Sequence, residues 1–131
     1  MITSQGGRAA LKTIFAAHGV RLAILFGSRA RGTARPDSDV DVAIDGPAEG
    51  VLALAADLRE ATGHDVDVVV LDEPSFPLLQ AITREGRPLY EARRGAFATF
   101  RSRAWTTLET DRPAYHRMRD AWLAKLASEA R

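Results

Sequence analysis

Apolar segments of strand length alternate along the chain with segments of helical periodicity. The predicted strands cover residues 20–26, 39–44 and 65–71, and residues 89 and 90 are expected to form an edge strand. The predicted helices cover residues 8–18, 48–62 and 75–84, with one further helical turn at 28–31. In the helix at 48–62, Leu52, Ala55 and Leu58 are expected to face the core. This alternation predicts a small α/β fold with a mixed central sheet and helices on one face.

The last 40 residues have a different pattern, which predicts a helical tail. Two apolar stripes have helical spacing: Phe97, Phe100, Ala104 and Leu108 form the first, and Tyr115, Met118, Trp122 and Leu126 form the second. Pro113 lies between the stripes and is expected to separate or kink two amphipathic helices. We expect the first stripe to pack on the sheet and the second to meet a partner, the alternative being that both stripes are buried within the chain.

The most informative polar residues lie where the first two strands meet. Gly27 and Ser28 end the first strand, and Asp39 and Asp41 follow after ten residues. Because side chains alternate along a strand, the two carboxylates share one face while Val40 points into the core. Two neighbouring carboxylates repel each other, and a divalent metal ion with oxygen ligands is the usual partner for such a pair. The alternative is a Gly-Ser turn followed by a solvated acidic hairpin.

This arrangement resembles the minimal nucleotidyltransferases (MNT) of the DNA polymerase β superfamily. Their signature is Gly-Ser, ten residues and Asp-x-Asp, with a third carboxylate on a later strand, and the resemblance runs from about residue 20 to residue 90. It implies a polymerase β-like fold and transfer of AMP from ATP to a hydroxyl. It also implies two Mg²⁺ ions, which Mn²⁺ can replace, between the carboxylates and the phosphates.

The resemblance assigns a role to each candidate residue. Asp39 and Asp41 are expected to bind both metal ions, and Asp67 is the third ligand because it lies inside the third strand. A salt bridge is the alternative role of Asp67. Asp65 and His64 lie at the start of that strand and are expected to be surface turn residues.

The turn after the first strand is the expected phosphate site. Gly27 allows the backbone to approach the triphosphate, and Ser28 offers a hydroxyl and a backbone N–H at a helix start. Arg29 and Arg31 are expected to add positive charge near the phosphates. One of the two is as readily a surface arginine, since they differ by about 200° around a helix.

Charge and composition divide the chain into two parts. Residues 1–91, the expected catalytic domain, hold nine basic and thirteen acidic residues, a net charge of −4. Residues 92–131, the helical tail, hold nine basic and four acidic residues, a net charge of +5. The chain has no cysteine, so disulfides and thiolate metal sites are excluded. Without a long apolar run or a signal-peptide pattern, a cytoplasmic protein with no membrane contact is expected.

The resemblance also suggests the acceptor of the nucleotide. Short MNT proteins with this motif are similar to the antitoxins of HEPN/MNT toxin–antitoxin pairs, in which the MNT protein adenylylates a tyrosine of the HEPN ribonuclease. A cognate HEPN toxin is therefore the expected partner, and a hetero-oligomer with it is one form of that partnership. The alternatives are an aminoglycoside-type nucleotidyltransferase, an antitoxin that acts by binding alone, and, ranked last, direct nucleic-acid binding.

Overall fold

The computed structural model describes residues 5–33, 35, 38–72 and 74–129, without the side chains of residues 5 and 6. In this part of the chain, four strands and five helices alternate. They are α1 (Gln5–Ala17), β1 (Leu22–Phe26), α2 (Ser28–Arg31), β2 (Val40–Asp45), α3 (Val51–Thr62), β3 (Val66–Val70), α4 (Phe76–Glu85), β4 (Arg87–Glu91) and α5 (Ala96–Glu129). The α/β class predicted from the sequence is confirmed.

The four strands form one mixed sheet in the order β3-β2-β1-β4. β1 is antiparallel to both β2 and β4, whereas β2 and β3 are parallel. The expected edge strand is β4, which is longer than the two residues predicted. The register places Asp41 beside Phe26 on one side and beside Asp67 on the other. The end of β1 and the starts of β2 and β3 therefore meet at one end of the sheet.

Helices cover both faces of the sheet, and the expectation of helices on one face is wrong in this respect. α1 and α3 pack on the face formed by Val40, Val42 and Ile44 of β2. On the opposite face, Ile82 of α4 and the start of α5 pack against β1. The reason lies in β1, which is apolar at every position, so Leu22 and Ile24 also need cover from water.

The helix α3 begins at Val51, three residues later than predicted, and its inward face differs from the predicted one. Leu54 and Leu58 are buried, but Leu52 is 87% exposed, so its predicted position in the core is wrong. Leu52 lies about 160° from Leu54 around a helix with 3.6 residues per turn, so the two cannot share one face. The helix ends at Gly63 in the left-handed conformation, as its sequence indicated.

The tail is one continuous helix of 34 residues with Pro113 inside it, so the predicted separation into two helices is wrong. The first stripe packs on the body, with Ala104 and Leu108 buried. Both stripes lie on the same side of α5, which lets the helix continue past the proline without changing its inward face. Tyr115 stacks on Phe76 with ring centroids 4.3 Å apart, so this member of the second stripe is not free for a partner.

No helix in the described part of the chain is long and apolar enough to cross a membrane.

Candidate active site

Three carboxylates lie at the end of the sheet where β2 and β3 begin. Asp41 is the second residue of β2 and is paired in register with Asp67, the second residue of β3. Neighbouring residues in register share a face of a sheet, and Asp39, two residues before Asp41, lies on the same side. Asp39 and Asp67 are exposed, whereas Asp41 is half-buried. The structure therefore brings together the three acids that the sequence singled out.

The three acids interact electrostatically at Asp41. The pKa of Asp41 is raised, first because burial removes water from the carboxylate, and then because Asp67 and Asp39 repel its charge. Arg31 acts in the opposite direction and lowers the pKa of Asp41. A site that accumulates negative charge in this way favours a cation.

The donors fit a divalent ion by chemistry, since they are carboxylate oxygens on one face of the sheet. Within the ranges that the structure describes, however, no group of three or more His, Cys, Asp or Glu side chains is close enough to enclose an ion. Rotation of exposed side chains, of which Asp39 and Asp67 are two, is the simplest way to bring their oxygens onto a shared ion. The predicted metal-ligand role of the three acids stays a prediction.

The turn at Gly27 packs directly against Asp41. Gly27 has φ +78° and ψ −157°, and a Cβ atom added to it would lie 2.5 Å from Oδ2 of Asp41. Only glycine fits both this backbone conformation and this contact. Ser28 begins α2 and is half-buried beside the acids. The structure thus gives Gly27 a reason that the sequence did not reveal, namely close approach to a carboxylate of its own chain.

Arg29 supports the chain just before Asp39. Its Nη2 and Nε atoms donate to the carbonyl oxygen of Ser38, at 2.7 and 3.2 Å. Nη2 also lies 3.3 Å from Nδ1 of His64. His64 lies in the bend before β3, as expected, but this contact leaves it half-buried rather than fully exposed. Arg29 connects α2, the residue before Asp39 and the start of β3; its predicted contact with phosphate stays a prediction.

Arg31 lies between an acid of α4 and the carboxylate site. Its Nη1 atom is 2.9 Å from Oε2 of Glu85, and its charge also acts on Asp41. The contacts of Arg31 with Glu85 and of Arg29 with His64 were not predicted, because the partners lie 54 and 35 residues apart and no local spacing relates them. Asp65 forms an ion pair with Arg59 at 3.2 Å, which agrees with a role at the start of the strand and outside the site.

Comparison with known proteins identifies the family. Residues 9–94 match the family described as polymerase beta, nucleotidyltransferase. This match covers well over half of the chain and includes β1, α2, β2 and β3. The chain belongs to the polymerase β nucleotidyltransferase family.

Solved structures agree with this fold. The chain is similar to a chain of a toxin–antitoxin complex with AMP-PNP, with 22% identity, a TM-score of 0.75, and 88% of this chain and 98% of that chain covered. It is similar to a chain of the complex of tri-AMPylated Shewanella oneidensis HEPN toxin with MNT antitoxin, at 20% identity, TM-score 0.71, and 94% and 99% coverage. A minimal nucleotidyltransferase is 32% identical over 64% of this chain and 90% of its own, with a TM-score of 0.53. No curated protein matched the chain.

Proposed function

We propose that this protein is a metal-dependent adenylyltransferase that transfers AMP from ATP to a tyrosine of a cognate HEPN toxin and thereby silences it. The observation that carries the proposal is the register of Asp41 with Asp67, which groups these acids with Asp39 at one end of the sheet. The family supports nucleotidyl transfer. The solved complexes with AMP-PNP and with a tri-AMPylated HEPN toxin support ATP as donor and a protein as acceptor.

Each acidic residue has its own role in the proposed reaction. Two divalent ions, when bound, neutralise the phosphates and the carboxylates and favour in-line displacement at the α-phosphorus. Asp39 and Asp41 would hold these ions, with Asp67 as the third ligand. Asp67 faces the incoming tyrosine and accepts its proton as the new O–P bond forms and the bond to the leaving pyrophosphate breaks. Burial and, after it, repulsion from Asp67 and Asp39 raise the pKa of Asp41, so a bound cation would relieve a cost already present in the fold.

The turn between β1 and α2 is the proposed phosphate cradle. Gly27 keeps the backbone free of a side chain beside Asp41, and Ser28 supplies a hydroxyl and an N–H group at the start of α2. Arg31, held by Glu85, places a positive charge on the same side. We assign to Arg29 the support of the Ser38 carbonyl in addition to its positive charge.

The decisive experiment is intact-mass spectrometry of the cognate HEPN protein after incubation with this protein, ATP and Mg²⁺. We expect additions of one AMP mass, lost in the Asp39→Ala, Asp41→Ala and Asp67→Asn variants. Asp65→Asn is the matched control, because Asp65 is also a carboxylate of the β3 region but is paired with Arg59 outside the site. If the wild-type protein neutralises the toxin while the mass of the HEPN protein stays unchanged, inhibition is by binding alone and the proposal is overturned.

A further inference from the structure

Large apolar side chains are exposed near the end of α5. Among the described residues, the exposed large hydrophobic side chains are Leu52, Trp105, Met118, Trp122, Leu123 and Leu126. Four of these six lie within nine residues of one helix. We call Met118, Trp122, Leu123 and Leu126 the free face. Contiguous exposed apolar surface on a soluble protein usually marks a site of interaction.

The free face continues the surface by which α5 packs on its own body. Trp122 follows Ala104 by 18 residues, which is five turns of an α-helix, so the two side chains point the same way. Ala104 is 5% exposed and Trp122 is 60% exposed. Tyr115, between them, is held by its stack on Phe76, and every described residue from 117 onward is exposed. The apolar side of α5 is therefore covered by the rest of the protein in its first half and exposed in its second half.

Three charged residues, Arg119, Lys125 and Glu129, lie on the same side of α5 as Trp122, so cations outnumber acids there. Arg119 and Lys125 lie three residues before and after Trp122, so they project about 60° to either side of it. Arg119 is 3.4 Å from Asp120 in an exposed pair that contributes little. In a contact between two copies centred on Trp122, Arg119 would face Arg119 in parallel helices or Lys125 in antiparallel ones, which is unfavourable. A partner surface with an apolar centre and an acidic rim is complementary to both features.

The free face is too short to hold a partner alone. From Met118 to Leu126 the helix rises about 12 Å, whereas a stable interface buries roughly 800 Å² per partner. The contact therefore acts together with another one, and the carboxylate site is the other place where a protein acceptor must be held. Two linked contacts strengthen binding more than either alone.

We propose that the free face docks an amphipathic helix with acidic flanks on the same protein that presents the acceptor tyrosine. The proposal rests on the proposed function for the identity of that protein. Docking raises the local concentration of the tyrosine at the active site, so it acts on the KM for the protein acceptor. The chemistry at the three carboxylates does not depend on it.

Fluorescence of Trp122 tests the contact directly. The chain has two tryptophans, so Trp105→Phe leaves Trp122 as the single reporter. Adding the cognate HEPN protein is expected to shift its emission to shorter wavelength, because the ring leaves water. An unchanged emission on forming the complex would overturn the proposal.

A charge substitution tests the role in the reaction. Trp122→Glu should raise the KM for the HEPN protein by about tenfold or more, as expected for an interface aromatic, with kcat nearly unchanged. Leu52→Glu is the matched control, because Leu52 is 87% exposed on α3 and lies outside the free face. Both variants should keep the wild-type circular dichroism and Tm, since both side chains are exposed. Equal KM values for wild type and Trp122→Glu would overturn docking while leaving adenylylation intact.

Two further outcomes keep docking separate from the proposed function. If Trp122 shifts on mixing but the toxin gains no AMP, docking stands and adenylylation fails. If size-exclusion chromatography shows a dimer of this chain alone that Trp122→Glu converts to a monomer, the free face joins two copies and our assignment of its occupant is wrong.

Discussion

At the scale of single residues, Asp41 combines burial with repulsion. Its carboxylate is partly removed from water and lies beside two other acids, which together raise its pKa above the ordinary value of 3.8. A raised pKa means that the folded protein binds the proton more tightly than the unfolded chain does. Stability therefore falls as the pH rises from 3.8 through the raised value, and the ionised form is a cost at neutral pH.

We predict that Asp41→Asn raises the Tm of the metal-free protein at pH 7, because it removes a charge that the fold disfavours. The gain should shrink as the pH is lowered towards 3.8, where Asp41 of the wild type is itself protonated. Added Mg²⁺ should raise the Tm of the wild type more than that of the variant. Thermal unfolding at several pH values, with and without Mg²⁺, measures both effects.

Asp45 gives the matched control for this prediction, because it lies on the same strand and pairs with Arg21 at 2.7 Å. Asp45→Asn removes a carboxylate without relieving repulsion, so its Tm at pH 7 should be unchanged or slightly lower. If both variants gain the same amount in Tm, a general loss of negative charge explains the gain. Repulsion of Asp41 by Asp39 and Asp67 is then not its cause.

Substitution of Gly27 tests whether backbone strain or the contact with Asp41 affects activity. Gly27→Ala should lower activity about a hundredfold, since the methyl group displaces the Asp41 carboxylate. Gly32→Ala is its control: Gly32 has a similar φ of +76°, but a Cβ atom there meets nothing within 4 Å. Gly32 has the left-handed helical ψ of 16°, where alanine costs roughly 1–2 kcal/mol, whereas Gly27 with ψ −157° lies in a region that is essentially restricted to glycine, where the cost is of order 1–3 kcal/mol. Near-equal activities of the two variants would show that strain, not the contact with Asp41, is what matters.

At the scale of elements, Arg29 joins α2 to the residue before Asp39. Arg29→Ala removes both hydrogen bonds to the Ser38 carbonyl, so Asp39 is held less firmly. We predict a fall in kcat of roughly tenfold to a hundredfold with a smaller change in the KM for ATP. Steady-state kinetics with the toxin as acceptor measures the two constants separately.

Arg35→Ala is the control for Arg29, because it removes the same charge from an exposed position between α2 and β2. If the main function of Arg29 is to bind phosphate, its variant should raise the KM for ATP and leave kcat nearly constant. If Arg35→Ala has the same effect as Arg29→Ala, the loss of positive charge explains both results, and the hydrogen bonds from Arg29 to the Ser38 carbonyl do not.

The elements that the sequence predicted well are those encoded locally. β1, α2 and β2 follow from an apolar run, a Gly-Ser turn and an alternating acidic strand, so the grouping of Asp39 with Asp41 was accessible. Asp67 was accessible because it lies inside the third strand in a segment that resembles the family's, but alternation alone did not fix its register with Asp41. Leu52 was misplaced because Leu58 fits two helical stripes, one with Leu52 and Ala55 and one with Val51 and Leu54, and spacing alone does not choose between them.

Contacts between distant segments were beyond the reach of the pattern. Arg31 and Glu85 are 54 residues apart, and Arg29 and His64 are 35 apart, with no periodicity to connect them. The continuity of α5 was missed because proline is a strong helix breaker in general. Here both apolar stripes fall on one face, so the packed first half of the helix and the Tyr115–Phe76 stack hold the second half in line.

At the scale of the whole molecule, the two faces of the sheet carry different tasks. The face covered by α1 and α3 holds the larger group of buried apolar residues, and its strand positions include Val40, Val42 and Ile44. The opposite face carries the three carboxylates at one end and is covered elsewhere by α4 and α5. The basic tail therefore begins as part of the core and ends as exposed surface. Truncation of the tail can test whether residue 91 is a domain boundary.

Two truncations separate the structural part of α5 from its exposed part. A chain that ends at Arg117 keeps Tyr115 on Phe76 and loses only the free face, so it should retain the wild-type Tm and metal-dependent ATP binding while modifying the HEPN protein poorly. A chain that ends at Arg112 also loses the aromatic stack, which is worth about 0.5–1.5 kcal/mol beyond its buried area, and should fold with a lower Tm. Thermal unfolding, nucleotide titration and intact-mass spectrometry of the acceptor measure the three properties. If the chain ending at Arg117 unfolds, residues 118–129 are needed for the fold; if it modifies the acceptor at full rate, the acceptor is held elsewhere, with the rim around Arg29 and Arg35 the next surface to test.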